Sequence, residues 1–380
     1  MEIKNLKKTA QRIQKAIKNK EKIILYGDAD LDGVSSVIIL KETIKNLGGE
    51  VKVVYFPDRE KEGYGLNKDA LSFLKKFSPA LLIVLDCGIG NFEEVKLAKK
   101  TGFEVIIIDH HEILNKLPQA SIVVDPKQKG DRYPFKGLAN TGIIYKLSQI
   151  LFGENISENL KRNLLELTAL ATIADMMPQE DENEVMIEEG LVSLEKSFRP
   201  GLKVFLKNYG EIRQTSQKII SVLNTSEVKN HLDQAYLLLT SSSLKEAEIL
   251  VQELIQKSYQ KQERVRKIIE EVEDRIFKKT EEPIIFEGDS SWTLVLLGTV
   301  ASRICHLHKK PVFLFKKGDK ESPGAVRMPK GVDGVKAMTS CEKLLQTYGG
   351  HPAAAGFRVK NENLEKFKKC LIKYFELCGE

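Results

Sequence analysis

The stretch Tyr26–Gly33 reads Tyr-Gly-Asp-Ala-Asp-Leu-Asp-Gly and constrains this chain more than any other segment. It follows the apolar run Ile23–Leu25 and precedes a helical pattern, so it lies where a strand should end. The carboxylates of Asp28, Asp30 and Asp32 repel one another and destabilise the fold unless positive charge lies among them. Carboxylate oxygens suit magnesium and manganese, whereas a phosphate would add negative charge. The stretch therefore predicts a divalent metal site.

Short apolar runs alternate with helical patterns from residue 21 to about residue 150. The runs are rich in Val, Ile and Leu, as is typical of parallel strands covered on both faces. The predicted strands are Lys22–Tyr26, Val51–Phe56, Leu81–Leu85, Glu104–Ile108 and Ser121–Val124. This alternation predicts an α/β fold with a doubly wound, mostly parallel sheet.

The rest of the chain predicts a connector and a second domain. A helical pattern without Gly or Pro extends from Ser243 to Glu281, and its mixed charges are typical of an exposed connecting helix. Further predicted elements are strands at Ile284–Phe286, Leu294–Leu297 and Pro311–Phe315, a turn at Glu321–Gly324, and helices near 332–347 and 361–377. We therefore predict a first α/β domain over residues 1–210, a helical connector over 211–282, and a smaller α/β domain over 283–380.

Composition bounds the class of protein. The chain has 380 residues, 42% hydrophobic and 29% charged, which is typical of a soluble protein of about two domains. The net charge of +6 permits a nucleic-acid partner without requiring one. No apolar run reaches membrane-spanning length, and the lysine-rich amphipathic segment Leu6–Lys20 is interpreted as a helix with a solvated face. The five cysteines form no Cys-x-x-Cys pair, which predicts reduced thiols in a cytoplasmic protein. They are Cys87, Cys305, Cys341, Cys370 and Cys378.

More acidic and imidazole side chains follow the other predicted strands. Because open α/β sheets bind ligands at the carboxyl ends of their strands, we expect these side chains to gather at one edge. Each alone has a simpler explanation, such as a helix cap or a hydrogen-bonded histidine. Together, with few nearby cations, the cluster would be destabilised without metal. Its members are Asp86 after the third strand, Asp109, His110 and His111 after the fourth, Asp125 after the fifth, and Asp175 at the end of an apolar helix.

Two divalent ions would balance this charge. Histidine beside carboxylate favours manganese, with magnesium as the alternative. Two metal ions about 3.5–4 Å apart suit phosphoester hydrolysis, because they activate water and stabilise the phosphate oxygens. The residues by themselves therefore predict a two-metal phosphoesterase.

The ordered motifs resemble the DHH phosphoesterase superfamily, whose name corresponds to Asp109-His110-His111, and within it the RecJ branch of single-strand-specific exonucleases. The resemblance covers nearly the whole chain. It implies that residues 1–210 form a DHH catalytic domain and that residues 283–380 form a DHH-associated domain that binds the substrate. Further matching segments are Pro57–Arg59, Glu62–Leu66, Asp125–Gln128, Tyr133–Leu138, Ala169–Asp175, Arg199–Leu202, Gly298–Arg303 and Gly349–His351.

The resemblance implies a role for individual residues. It implies one metal ion held by Asp30 and Asp86, and a second held by Asp32, Asp86, His110 and Asp175. Asp28 is hypothesised to complete the first set, because Tyr26 stands where many relatives outside the RecJ branch have histidine. His111, with Asp109, would orient the phosphate or protonate the leaving oxygen, and a supporting hydrogen bond is the alternative. The residues expected to meet substrate phosphate are Arg59, Arg303, Arg327 and His351.

By the same resemblance, the expected activity is the removal of 5′ nucleotides from single-stranded DNA in repair and recombination. Single-stranded DNA is then the main partner, with replication or repair proteins as further partners, and the oligomeric state is left open. Three alternatives stay open. One is hydrolysis of short oligonucleotides or small nucleotides, favoured by the expectation that the OB-fold of longer relatives is missing. The others are a haloacid-dehalogenase-like phosphatase, suggested by the Asp-x-Asp motif, and a non-catalytic replication scaffold, disfavoured because every implied ligand is present.

Overall fold

The computed structural model describes residues 2–113, 116–207, 210–277 and 282–377. The last residues of the predicted helix Ser243–Glu281 and the predicted reduced Cys378 lie outside the described residues. The chain divides into two compact units, which we call unit 1 (residues 1–258) and unit 2 (residues 259–380). The division falls inside one long helix.

Unit 1 is built on a five-stranded parallel sheet with the order β2-β1-β3-β4-β5. This confirms the predicted parallel sheet, and each predicted strand lies within one residue of its observed bounds. A separate two-stranded hairpin, β6 with β7, follows later in the chain. The strands of unit 1 are β1 (Ile23–Gly27), β2 (Val51–Tyr55), β3 (Ala80–Leu85), β4 (Phe103–Ile108), β5 (Ile122–Val124), β6 (Val228–Lys229) and β7 (Leu232–Asp233).

Helices cover both faces of this sheet. Alternate residues of β1 show it: Ile23 and Leu25 belong to one apolar core, while Ile24 and Tyr26 belong to the other. The sheet is therefore doubly wound, as predicted. The helices that begin in unit 1 are α1 (Leu6–Lys18), α2 (Leu31–Asn46), α3 (Lys68–Leu74), α4 (Phe92–Lys100), α5 (Asn140–Phe152), α6 (Glu158–Ala174), α7 (Asp181–Leu194), α8 (Pro200–Leu206), α9 (Ile212–Leu223), α10 (Gln234–Thr240) and α11 (Leu244–Ile276).

The strand order reverses between β1 and β3, and this reversal positions the acidic residues. The crossover from β1 leads outward to β2, whereas later strands extend the sheet in the other direction, so a crevice opens where β1 and β3 end. Asp28 and Asp86 directly follow those two strands. Asp86 has a φ of 61°, an uncommon backbone conformation for a residue with a side chain and one that clusters at functional sites.

Unit 2 is a smaller α/β unit with one five-stranded mixed sheet in the order β11-β12-β10-β9-β8. Among the strand pairs of the described residues in this sheet, β8 and β9 are parallel and the other pairs are antiparallel. This confirms the predicted fold class. Its elements are β8 (Ile285–Asp289), α12 (Leu294–His308), β9 (Val312–Lys316), β10 (Glu321–Arg327), α13 (Gly334–Thr339), β11 (Leu345–His351), β12 (Ala354–Lys360) and α14 (Leu364–Leu377).

Three local predictions in unit 2 are wrong. Leu294–Leu297 is the first turn of α12 rather than a strand, because apolar residues continue at helical spacing through Ile304. The predicted turn Glu321–Gly324 lies inside β10, where a Cβ on Gly324 would be 2.4 Å from the ring of Phe357. The Pro-Gly pair there serves close packing rather than a turn. The predicted helix over 332–347 is limited to the short α13, and β11 follows it.

The prediction of reduced cysteines is wrong for Cys341 and Cys370, which form a disulfide. The two residues are 29 positions apart, and the β11–β12 hairpin returns the chain so that their Cα atoms lie 6.1 Å apart. Cys87 and Cys305 are buried and free. The spacing of the cysteines in the sequence could not predict this disulfide, because the hairpin brings the two residues together.

The two compact units divide the chain after residue 258, inside the predicted connector. Residues of α9, α10 and the first half of α11, such as Ile219, Leu238 and Leu254, are buried in the core of unit 1. The assignment of catalysis, connection and substrate binding to residues 1–210, 211–282 and 283–380 stays a prediction. Within the described ranges, none of the helices has the length and apolar composition needed to cross a bilayer.

Candidate metal centre

The acidic stretch after β1 forms the start of α2. Asp30 caps this helix, because its Oδ1 accepts hydrogen bonds from the backbone N–H groups of Asp32 and Gly33 at 3.1 and 3.0 Å. Gly33 is required here, since a Cβ would lie 2.3 Å from the carbonyl oxygen of Asp28. The cap and the glycine hold three carboxylates within one turn at the edge of the sheet. Asp28 and Asp32 are each only 1% exposed.

Asp32 is anchored at the N-terminus of α5. Its Oδ2 accepts from the backbone N–H of Asn140 at 2.7 Å, and its Oδ1 accepts from the N–H and hydroxyl of Thr141 at 2.9 and 2.5 Å. A helix N-terminus favours negative charge. Burial nevertheless raises the pKa of Asp32 to about 6, against the lowering effect of Thr141. Sequence reasoning missed both partners, and a polar pair opening an apolar helix was the available signal.

His110 faces the carboxylates with one ring nitrogen and the backbone with the other. Its Nδ1 lies 3.0 Å from the carbonyl oxygen of Leu138, the arrangement that orients metal-binding imidazoles. Its Nε2 lies 3.1 Å from Asp86 Oδ1, 3.5 Å from Asp175 Oδ2 and 3.6 Å from Asp32 Oδ2. Burial, helped by the positive charge of His111, lowers the pKa of His110 to about 3. The ring is therefore neutral at physiological pH, as a metal ligand must be.

Two buried carboxylate oxygens in this cluster indicate whether the residues are suited to bind metal ions. Asp86 Oδ1 and Asp175 Oδ2 are buried and accept no hydrogen bond from the residues that the structure describes. Burial and the charges of Asp30 and Asp32 raise the pKa of both carboxyls well above the usual range. Crowded anions of this kind are stabilised by a cation or else by protons.

Among the described residues of unit 1, candidate ligand atoms form three groups, and two of these match the ligands predicted for the two metal ions. The third group is Asp86, Asp109 and His111. In each group, one atom from every residue lies within 4.8 Å of the others. An ion between them would have oxygen and imidazole donors, the set suited to manganese or magnesium. The donor set therefore fits two divalent cations, and the assignment of each ligand stays a prediction. The first group is Asp28, Asp30 and Asp86, and the second is Asp32, His110 and Asp175.

Arg59, predicted to meet substrate phosphate, binds two carboxylates of the first group. Its Nε lies 2.9 Å from Asp28 Oδ1, its Nη2 also bonds Asp28 Oδ2, and the same nitrogen lies 2.8 Å from Asp30 Oδ2. Arg59 therefore supplies one positive charge to the first group. Burial raises the pKa of Asp28, and the positive charge of Arg59 partly offsets the effect. The roles of Asp28 as a ligand and of Arg59 in phosphate binding stay predictions.

The buried Asp109 and the partly exposed His111 form a pair beside the second group. Asp109 accepts from the backbone N–H groups of Ile89, His110 and His111 at 3.0, 2.8 and 3.2 Å, and lies 2.8 Å from His111 Nδ1. Burial alone would raise the pKa of Asp109, but the charge of His111 and these hydrogen bonds hold it below the usual range. Burial likewise lowers the pKa of His111, but Asp109 outweighs it and raises the value to about 9. His111 therefore carries a proton at neutral pH.

Two tyrosines lie near the candidate metal centre. Tyr26 is fully buried, and its hydroxyl donates to the carbonyl oxygen of Gly65 at 2.7 Å, so it serves as a structural residue here. Tyr64 is 53% exposed, its hydroxyl donates to the backbone oxygen of Asp86 at 3.2 Å, and its ring meets that of His111 edge-on.

The remaining predicted residues lie in unit 2. Arg303 is exposed on α12, and His351 ends β11. Arg327 ends β10, and its Nη2 lies only 3.0 Å from where a Cβ on Gly298 would be. Gly298 thus allows the guanidinium to lie against α12. The roles of Arg303, Arg327 and His351 in substrate binding stay predictions.

Two protein-family models match the sequence of this chain. Residues 22–172 match the model of the DHH family N-terminal domain, and residues 281–377 match that of the DHHA1 domain. The two matches cover more than half of the chain. The chain belongs to the DHH family. The expected family resemblance is therefore confirmed.

Several proteins similar to this chain are RecJ exonucleases. The single-stranded-DNA-specific exonuclease RecJ of Bacillus subtilis is 35% identical over 97% of this chain and 48% of its own length. A crystal structure of exonuclease RecJ bound to manganese matches with a TM-score of 0.78, at 28% identity over 99% of this chain and 95% of that one. RecJ from Thermus thermophilus in complex with Mn²⁺ matches with a TM-score of 0.82, at 26% identity over 99% of this chain and 55% of that one. This chain spans about half the length of the curated relatives it matches.

Proposed function

We propose that this chain hydrolyses phosphodiester bonds of single-stranded DNA, releasing nucleotides from the 5′ end, with two divalent metal ions and manganese preferred over magnesium. The observation that carries the proposal is the convergence of two ligand groups at the switch point of the parallel sheet. Relatives described as single-stranded-DNA-specific exonucleases support the substrate, and structures of RecJ with manganese and with magnesium support the metals.

In this proposal, each side chain at the sheet edge has a defined task. The carboxylates and His110 hold the cations, which when bound supply the charge that activates water and stabilises phosphate oxygens. The carbonyl of Leu138 fixes the orientation of His110. Asp109 keeps a proton on His111, so that His111 is able to donate it to the leaving oxygen.

The test is cleavage of end-labelled single-stranded DNA, single-stranded RNA, duplex DNA and dinucleotides, each with and without a 5′-phosphate, in manganese, magnesium or EDTA. We expect mononucleotides from the 5′ end of single-stranded DNA and no product in EDTA. Cleavage of dinucleotides alone would instead favour a short-oligonucleotide phosphodiesterase. Metal binding without cleavage of any strand would favour a non-catalytic scaffold.

Asp86→Ala is the decisive variant, because Asp86 belongs to the first ligand group and its Oδ1 lies 3.1 Å from Nε2 of His110 in the second. We expect its activity to fall at least about 100-fold, since several kcal/mol of charge stabilisation depend on the metals. The matched control is Asp319→Ala, which removes an exposed aspartate from a loop of unit 2 and should keep full activity. Equal activity of the two variants would contradict the proposal.

A further inference from the structure

The solvent face of α1 is a stripe of lysines and glutamines. The exposed positions recur at spacings of three and four residues, so their side chains lie in a row along one face. No residue of α1 is acidic. We call this row the lysine stripe; its members are Lys7, Lys8, Gln11, Gln14, Lys15 and Lys18.

The opposite face of α1 is already occupied. Leu6, Ile13 and Ala16 are at most 2% exposed and belong to the core of unit 1. A basic amphipathic helix binds a membrane by burying its apolar face in the lipid, and here that face is not available. Only the row of positive charges can meet a partner, so the partner must be recognised by charge.

Local ion pairs leave most of the positive charge of the stripe in place. Arg12 lies outside the stripe and binds Glu21 and Glu104 at 2.6 and 2.7 Å. Within the stripe, Lys7 pairs with Glu2 at 2.8 Å, but this lysine side chain is 69% exposed, and such surface pairs are weak. The stripe therefore remains a line of positive charge.

The two residues that precede α1 contact β5, which lies beside β4 in the parallel sheet, and the loop that follows β5. The side chain of Asn5 donates to the carbonyl oxygen of Val123 in β5 at 2.8 Å, next to the carboxyl end of that strand. Lys4 donates from its backbone N–H to Asp131 at 2.7 Å and from Nζ to the carbonyl oxygen of Lys129 at 2.9 Å. Lys129 and Arg132 are exposed on this loop and extend the basic surface.

We propose that the lysine stripe is an accessory surface for the phosphate backbone of a single-stranded nucleic acid, outside the cleavage site. This inference rests on the proposed function for the identity of the strand. From Lys7 to Lys18 the helix rises roughly 17 Å, enough for several phosphates. Lysines act as point charges on phosphates and carry no sequence readout, so the surface suits an enzyme that must hold any sequence.

The test compares two variants with the same change in net charge. The first, K7Q/K8Q/K15Q/K18Q, removes the lysines of the stripe. The control, K45Q/K52Q/K100Q/K196Q, removes four exposed lysines scattered over unit 1. Binding to labelled single strands of roughly 30 and roughly 5 nucleotides is measured by fluorescence anisotropy in EDTA over a series of salt concentrations. Circular dichroism checks that both variants fold.

For the long strand, we expect the slope of log affinity against log salt to become shallower by up to about 3 in the stripe variant, since each phosphate contact with a single strand contributes about 0.7. Binding of the short strand, and both strands with the control variant, should be unchanged. Equal losses in both variants, or for both strand lengths, would overturn the inference. The inference would also be overturned if the stripe variant bound single strands normally and lost binding only to anionic lipid vesicles.

The outcome also separates this inference from the proposed function. If the unmodified chain binds and cleaves single strands but the stripe variant binds the long strand equally well, the inference alone fails. If the unmodified chain binds no single strand, the proposed function fails and the inference with it.

Discussion

His110 and His111 are neighbours in sequence, yet their surroundings give them opposite charge states. His110 is buried with Nδ1 directed at a backbone carbonyl, and its pKa falls to about 3. His111 bonds the carboxylate of Asp109, and its pKa rises to about 9. A neutral ring suits a metal ligand, whereas a protonated ring suits a proton donor. The two residues should therefore respond differently to the same substitution.

We expect His111→Gln to lower kcat by about 10²–10⁴, the usual contribution of a general acid, while manganese affinity stays within about threefold. His110→Gln should instead weaken manganese binding, because it removes a nitrogen ligand. Isothermal titration calorimetry with manganese, alongside steady-state rates on single-stranded DNA, measures both effects. Weaker metal binding in His111→Gln would show that His111 acts on the metal site rather than on the leaving oxygen.

For Asp28 and Asp32, the sequence predicted the position in the fold but not the side chains and backbone groups that they contact. Their position at the end of β1 could be predicted, because the apolar run before them is short and clear. The guanidinium of Arg59 on Asp28 and the N-terminus of α5 under Asp32 could not. Both partners come from distant parts of the chain, and their placement depends on how loops cross the sheet edge.

Among the helices of unit 1, three are joined by one buried arginine. Arg199 precedes α8, and its Nη1 and Nη2 lie 2.7 and 2.8 Å from Glu42 of α2. Its Nε lies 2.9 Å from Glu166 of α6, and Nη1 also donates to the carbonyl oxygen of Leu239 in α10. Because α2 begins beside Asp32 and α6 ends beside Asp175, this cluster links the two helices that bear those carboxylates.

Glu166 should make the stability of unit 1 depend on pH. Burial, only partly offset by Arg199, raises its pKa from 4.5 to about 7. The folded state then binds this proton more tightly than the unfolded state, so stability is lost as pH rises from about 4.5 to 7. Relative to Glu166→Gln, the free energy of unfolding of the wild type should fall on the order of 3 kcal/mol over that window.

Urea unfolding at a series of pH values checks this expectation. The matched control is Glu188→Gln on α7, an exposed position whose replacement should change stability by less than about 0.5 kcal/mol at any pH. A difference between wild type and Glu166→Gln that stays constant from pH 4.5 to pH 8 would contradict it.

Prediction of the elements succeeded where hydrophobic periodicity was strong and failed where it was ambiguous. The parallel strands of unit 1 are short runs of Val, Ile and Leu that no helix of normal length would produce. Leu294–Leu297 is also a short apolar run, but it opens α12. Four apolar residues cannot separate a buried strand from a helix turn, and only the residues after them decide.

For the molecule as a whole, the two units differ in how they are stabilised. Unit 1 has two apolar cores, one on each face of its parallel sheet. Unit 2 is smaller and has a disulfide between Cys341 and Cys370, which closes a loop with a sequence separation of 29. Small units gain proportionally more from such a link, because they bury less surface on folding.

We expect Cys370→Ser to lower the free energy of unfolding of unit 2 by about 3 kcal/mol under oxidising conditions. In excess dithiothreitol, wild type and variant should unfold alike. Mass spectrometry of the alkylated, unreduced chain should find Cys341 linked to Cys370 in the wild type. If both thiols of the native wild-type chain are alkylated without reduction, the disulfide does not form in solution.

The fold class and the acidic edge of this protein follow from its sequence alone. Runs of Val, Ile and Leu predict a parallel sheet. Because the carboxyl ends of parallel strands lie at the same edge of the sheet, Asp28, Asp86 and His110 are predicted to lie close together. The partners of those residues required the tertiary structure. The contact of Arg59 with Asp28 and the Cys341–Cys370 link join segments distant along the chain. Such contacts depend on three-dimensional chain paths, for which local periodicity carries no signal.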